Sequence, residues 1–266
     1  MTTLHTLASG SSGNALAVSH GDTHLLVDAG ISCRQITLGL GRLGISPQDL
    51  EAILITHTHK DHIAGLPILL KRTACPLLAT SETCRDLAFQ LPEFVRRFSP
   101  LPLCHGQRLG DLTVTAFPTA HDAPGSCGFR LDGPDGGVGI MTDTGFVTPE
   151  AEAVLPGVAL AVLEANHDVD TLTWGPYPPF LKQRILGPGG HLPNGEAARF
   201  AVTLAEHGAE DLILAHLSQE NNTPAMALEA VSAALDRAGL HPLLSVAPQK
   251  TLSEAHVVRG RRLCRR

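Results

Sequence analysis

Residues 56–62 read Thr-His-Thr-His-Lys-Asp-His and directly follow a short apolar run, Ala52 to Ile55. Four metal-ligating side chains, His57, His59, Asp61 and His62, therefore stand within six residues at the end of an expected buried strand. Side chains at i and i+2 of an extended segment point the same way, so His57 and His59 can share one ion. A helix starting near Asp61 would turn the chain and present Asp61 and His62 to a second ion beside the first. Burying so many ionisable groups without cations is costly. A metal centre is thus the strongest constraint on how this chain folds.

Other strand ends repeat the theme. Leu25-Leu26-Val27 runs into Asp28, Phe117 leads to His121, Gly139-Ile140-Met141 leads to Asp143, and Leu212 to Ala215 runs into His216. A lone residue of this kind is most often a turn former or a cap. Five strand ends that all carry ligand chemistry favour one assembled site.

The rest of the chain suits a layered α/β domain. The 266 residues are 43% hydrophobic and 17% charged, enough to bury a sizeable core as a single domain spanning 1–266. Ala15–Val18 and His24–Val27 flank a Gly21-Asp22 turn and predict a hairpin. Helices are expected near 31–43, from an N-cap at Ser81 through Leu91, and over 195–207 and 224–238. Strands are expected at Leu112–Phe117, Val138–Met141, Leu160–Glu164 and Leu212–Ala215. The basic tail, 259–266, reads as a solvated end. A net charge of −6 gives no global attraction for nucleic acid or membrane. The N-terminus has no charged start, apolar stretch or cleavage site, and no apolar run is long enough to span a membrane. No two of the six cysteines form a C-x-x-C pair. A cytoplasmic protein with reduced thiols is expected.

The H-x-H-x-D-H run, with Asp before it and His, Asp and His after it in order, resembles the metallo-β-lactamase superfamily over nearly the whole chain. The resemblance implies a four-layer αββα sandwich. It also implies that His57, His59 and His121 hold one metal, that Asp61, His62 and His216 hold a second, and that Asp143 bridges them. Asp28 would orient the histidine loop through hydrogen bonds. Downstream, Glu164-Ala165, Gly190-His191 and His216-Leu217-Ser218 resemble motifs of tRNase Z, in which a Glu and a His form a proton-donating pair. Carried over, Glu164 would orient His191. Leu192 and Pro193 depart from the Ser-Thr expected there, which argues against tRNA processing. Ser9-Gly-Ser-Ser-Gly-Asn14, Glu164-Ala-Asn-His-Asp168, Gly190-His-Leu-Pro-Asn194 and Ala215-His-Leu-Ser218 together are similar to the YycJ/WalJ-type group of cytosolic DNA exonucleases.

These readings describe a hydrolase. Two divalent ions, Mn²⁺ or Zn²⁺, about 3.5–4 Å apart can stabilise the attacking and leaving oxygens of a phosphodiester, and can lower the pKa of bound water to about 7. Asp61 could hold that hydroxide or act as general base, and His191 could protonate the leaving oxygen. The expected activity is a binuclear phosphodiesterase, foremost a 5′→3′ DNA exonuclease acting through a metal-bound hydroxide at single- or double-stranded ends, with RNA as a further substrate. The competing reading within the fold is a small-molecule hydrolase, a lactonase or a glyoxalase II-type thioesterase. A non-catalytic scaffold is disfavoured by the complete ligand set. Substrate contacts are expected from Ser11, Ser12, Asn14, Trp174, Asn194 and Ser218. The loop at Ser11, Ser12 and Asn14 reads equally as an anion nest or a plain tight turn. The aromatic run of Trp174, Tyr177 and Phe180, followed by Lys182 and Arg184, reads as a surface that stacks bases and holds phosphate, as a packed loop or as a dimer contact. His167 either touches substrate or braces His191. Monomer and homodimer both remain open.

Overall fold

The computed structural model describes residues 1–258. The basic tail, 259–266, lies outside the described residues. The first sheet contains β1 (Thr2–Ala8), β2 (Ala15–His20), β3 (Thr23–Val27), β4 (Leu50–Leu54), β5 (Leu77–Ala79) and β6 (Phe98–Pro100) in that spatial order. The second contains β7 (Gly106–Leu109), β8 (Leu112–Pro118), β9 (Cys127–Gly133), β10 (Gly136–Met141), β11 (Leu160–Glu164), β12 (Asp211–Ala215) and β13 (Leu243–Val246). The last strand, β14 (His256–Val258), returns to pair antiparallel with β1, so both sheets have seven strands. Nine helices occur among the described residues: α1 (Cys33–Arg42), α2 (Lys60–Ile63), α3 (Leu66–Leu69), α4 (Ser81–Gln90), α5 (Pro149–Val154), α6 (Val169–Trp174), α7 (Pro179–Leu186), α8 (Asn194–Glu206) and α9 (Pro224–Arg237).

The layering follows from strands that are apolar on both faces. In β3, Leu25 and Val27 join the cluster between the sheets, whereas Leu26 joins Ile36, Leu40 and Leu66 beneath the first helical layer. In β11, Leu160 and Val162 face the first sheet, whereas Ala161 and Leu163 pack with Phe200 of α8 and Val231 of α9. A period of two with both faces buried gives a continuous apolar run. The result is the expected αββα sandwich.

Strand direction then places the site. β3 to β6 are parallel, as are β10 to β13. β8 and β10 each pair antiparallel with β9 and so run the same way. The ends of β3, β4, β8, β10, β11 and β12 carry Asp28, His57, His121, Asp143, Glu164 and His216 respectively. Ligands in α/β sheets gather at the carboxyl ends of parallel strands.

The hairpin, the helices and the four expected strands lie within a few residues of their expected bounds. One boundary differs: the hydroxyl of Thr80 accepts from Thr83 N and caps α4, so Ser81 is the first helical residue. Phe129 is fully buried in the cluster between the sheets. Phe129→Ala is expected to cost about 3–5 kcal/mol, read as a lower midpoint in urea at an unchanged slope.

Candidate metal centre

Asp28, Asp143 and His216 adopt left-handed backbone conformations, with φ of 60°, 57° and 55°. Cys104 is the other described non-glycine residue that does so. This region costs an L-residue about 1–2 kcal/mol. Three strand ends are bent so that their side chains turn back into the mouth between the sheets, and strain of this kind gathers at functional sites. Gly30 serves the same purpose by close approach: a Cβ on it would lie 1.6 Å from the carbonyl oxygen of Asp61.

Two trios of ligand atoms converge here. His57, His59 and His121 form one, and Asp61, His62 and His216 form the other. Asp143 lies between them, with Oδ2 3.3 Å from His62 Nε2 and Oδ1 3.8 Å from His121 Nε2.

Outer hydrogen bonds set which nitrogen faces inward. Asp28 accepts from His62 Nδ1 at 2.7 Å and from the backbone N–H of Thr56 at 2.9 Å. The Thr56 hydroxyl donates to Asp28 Oδ2 and accepts from His57 Nδ1 at 3.0 Å. His121 Nδ1 donates to the Gly190 carbonyl, and His216 Nδ1 donates to Glu164 Oε1 at 3.1 Å. The lone pairs left over point at one another. His57 Nε2, His216 Nε2 and Asp143 Oδ2 are buried without a hydrogen-bond partner, and His59 Nδ1 faces His121 Nε2 at 3.2 Å. Buried polar atoms are normally satisfied. An orphaned donor set of imidazole nitrogens and carboxylate oxygens fits divalent cations.

The electrostatics agree. Burial pushes His57 well below the ordinary histidine value, and the neighbouring His62 adds to this, so the ring is neutral as a ligand must be. Burial likewise opposes charge on His216, but Asp143, Asp61 and Glu164 outweigh it and push its pKa up to about 10. Burial alone would raise Asp143, yet His216 and His62 hold it well below the carboxylate range. The carboxylates thus create a potential that draws positive charge into the centre.

Glu164 is fully buried at the end of β11. Oε1 accepts from His191 Nδ1 at 2.8 Å as well as from His216, and Oε2 accepts from Thr144 N at 2.8 Å. Burial would raise its pKa, and His191 foremost holds it below the usual value. One carboxylate therefore orients both a metal-facing ring and His191, which lines the cavity.

The cavity, of about 280 Å³, opens over the metal-facing atoms. Ser11 and Ser218 line it. Asn14 sits behind it, with its amide nitrogen 3.0 Å from His62 Nε2 and its backbone N–H on the Asp61 carbonyl. The Ser9-to-Asn14 segment is a tight turn, closed by Gly13 N to Gly10 O, and it braces the ligand loop. Three expected substrate contacts lie elsewhere. Ser12 is exposed outside the cavity. Asn194 is buried, its amide paired with that of Asn222. Trp174 is 84% exposed and does not line the cavity, because α6 turns its last residue outward and Tyr177 of the following loop lines it instead. His167 is buried, with Nδ1 on Asn166 Oδ1 and Nε2 unpartnered, and it makes no hydrogen bond to His191. Asp168 caps α6 through Thr171 N.

Sequence reasoning gave no role to Asp122 or Asn166, which line the cavity together with Tyr177 of the aromatic run. Asn166 also donates to the carbonyl of His216. Asp122 had a signal in its position directly after His121.

Residues 23–217 match the model of a beta-lactamase superfamily domain. The chain belongs to the metallo-β-lactamase superfamily, as a metal-dependent hydrolase. It is 34% identical to the exodeoxyribonuclease WalJ of Streptococcus pneumoniae over 226 residues, 83% of each chain. It is 33% identical to the exodeoxyribonuclease YycJ of Bacillus anthracis over 239 residues, 88% of this chain and 89% of that one. The metallo-beta-lactamase fold protein YhfI of Bacillus subtilis superposes with a TM-score of 0.70 at 17% identity, covering 96% of this chain and all of that one.

Two predictions follow from the hydrogen-bond network. Asp28→Ala, which frees His62 and the Thr56 bridge to His57, is expected to weaken metal affinity about 10–100-fold, read by competition with a chromogenic chelator. Burial also pulls His167 down to about pH 4. The folded chain then binds fewer protons here than the unfolded chain, so stability is lost as pH falls from 6.5 through about 4. His167→Gln is expected to flatten that loss by about 3 kcal/mol, read by chemical unfolding of the metal-free protein at pH 7 and pH 4.

Proposed function

We propose that this chain is a binuclear phosphodiesterase, a DNA exonuclease of 5′→3′ polarity. The observation that carries the reading is the 2.8 Å contact between buried Glu164 and half-buried His191, beside the two trios of ligand atoms. The thiolate that leaves a thioester needs no such acid, whereas the alkoxide that departs from a phosphodiester does. The names of the WalJ and YycJ relatives support the same reading.

Two divalent ions, manganese or zinc, would be held by His57, His59 and His121 and by Asp61, His62 and His216, with Asp143 between them. They would supply charge stabilisation on both the attacking and leaving oxygens. The chain's own residues do the rest. Asp61, a quarter exposed at the cavity floor, is placed to accept a proton from the attacking water. Attack at phosphorus forms one P–O bond as the bond to the leaving nucleoside oxygen breaks. His191 gives that oxygen a proton from Nε2, because Nδ1 is committed to Glu164. Leu181 and Ile185 close one wall and keep water off the reacting group.

The whole chain, 1–266, is taken as one domain. No helix among the described residues is long and apolar enough to cross a membrane. The five described cysteines are unpaired, which suits a reducing cytoplasm.

End-labelled single- and double-stranded DNA and RNA, incubated with Mn²⁺ or Zn²⁺, test the substrate and the ladder direction. DNA shortened from its 5′ end is expected. Hydrolysis of thioesters with no phosphodiester cleavage would overturn the reading. His191→Ala is expected to retain its metal by mass spectrometry and to lose about 10²–10⁴-fold in turnover.

A further inference from the structure

Opposite the metal-facing wall, the cavity is lined by Tyr177, Leu181, Arg184 and Ile185, from α7 and the loop before it. Arg184 is the one lysine or arginine among the described lining residues. Three carboxylates, Asp61, Asp122 and Asp143, line the same space. A polyanion entering here meets one guanidinium on the wall formed by α7.

Arg184 is also held in place. Its Nε donates to Asp122 Oδ2 at 2.6 Å. Asp122 Oδ1 in turn lies 3.5 Å from His121 Nε2 and 3.6 Å from His59 Nε2. The bond to Arg184 fixes the plane of the guanidinium. Among the described residues its two terminal nitrogens make no hydrogen bond, and the side chain is more than half exposed. A guanidinium anchored through Nε presents its outer N–H groups as a fork that matches phosphate geometry. The Asp122 carboxylate links the guanidinium on one side to the histidine nitrogens on the other, which sets the fork to one side of the metal-facing atoms.

Resting on the nuclease reading, we propose that Arg184 is a specificity determinant that binds the phosphate next to the one being cleaved. It selects strands with at least two consecutive phosphodiesters. Asp122 is its positioning residue. The acidic chain thereby gains a phosphate contact at the one place where a second phosphate must pass.

The test uses the full-length, metal-loaded enzyme and two oligothymidylates that differ in one linkage. One has a natural phosphate beside the scissile linkage, and the other a neutral methylphosphonate there. For the wild type, the methylphosphonate is expected to raise KM about 10–100-fold, the range of a charge-assisted contact. Arg184→Ala is expected to raise KM similarly on the natural strand and to show no further rise on the methylphosphonate strand. Its salt dependence of binding should fall by about one phosphate's worth. Arg184→Lys, which keeps the charge without the Nε latch, should recover only part of the loss. Equal methylphosphonate penalties in wild type and Arg184→Ala would overturn the assignment. So would a loss in Arg184→Ala that is equal on both strands and accompanied by loss of metal, because Arg184 would then serve only to restrain Asp122. A wild type that cleaves neither strand would overturn the nuclease reading itself, and the Arg184 assignment with it.

Discussion

The structure turns on carboxylates buried at strand ends and set against imidazole rings. Asp28, Asp143 and Glu164 are almost wholly removed from water. An unpaired ion in such a place costs several kcal/mol after relaxation. Each is instead bound to histidines: Asp28 to His62, Glu164 to both His191 and His216, and Asp143 close to His62, His121 and His216. The sandwich makes this possible. Its apolar interior ends where the parallel strands end, and the polar groups begin within one or two residues of that edge. The strained backbone at Asp28, Asp143 and His216 is tolerated because the packed strands on either side hold it.

This arrangement divides labour along four of the metal-facing rings, those of His57, His62, His121 and His216. One nitrogen is committed outward, to Asp28, Thr56, Gly190 or Glu164, and the other is left facing the centre. Glu164 extends the scheme to the cavity wall, because the same oxygen reaches a metal-facing ring and His191. Asp122 does something similar at the outer edge, linking the histidine loop to Arg184 on α7. A net charge of −6 is compatible with the proposed nucleic-acid substrate, because the attraction would be local, concentrated in bound metal and one guanidinium.

Much of this was legible before any coordinates. His57 and His59 stand two apart on an extended segment, and Asp28, Asp143, Glu164 and His216 each follow an apolar strand, so local pattern alone marks them. What was not legible depends on long-range packing. β5, β6 and β14 have only three residues each, and β14 pairs with β1 from the far end of the chain. Trp174 looked like a substrate platform because it is the sole tryptophan, but the direction of a short helix decides where it points. Asn194 is expected at the substrate, yet its amide pairs with Asn222, 28 residues away. The Ser9–Asn14 turn braces Asp61 and His216 from the first sheet, a contact across more than 200 residues that no local signal carries. Seven other histidines, such as His20 on Thr2 and His256 on Asp211, make ordinary local or cross-sheet contacts, so their number was less informative than the placement of the rest.

The central claim is that the two trios and Asp143 are built for two divalent ions. Metal content per chain, by inductively coupled plasma mass spectrometry on protein stripped, reloaded with Mn²⁺ or Zn²⁺ and desalted, tests it most directly. Two tightly held ions per chain are predicted, falling to one in His57→Ala or His216→Ala. A folded wild-type chain that retains one ion or none would contradict it.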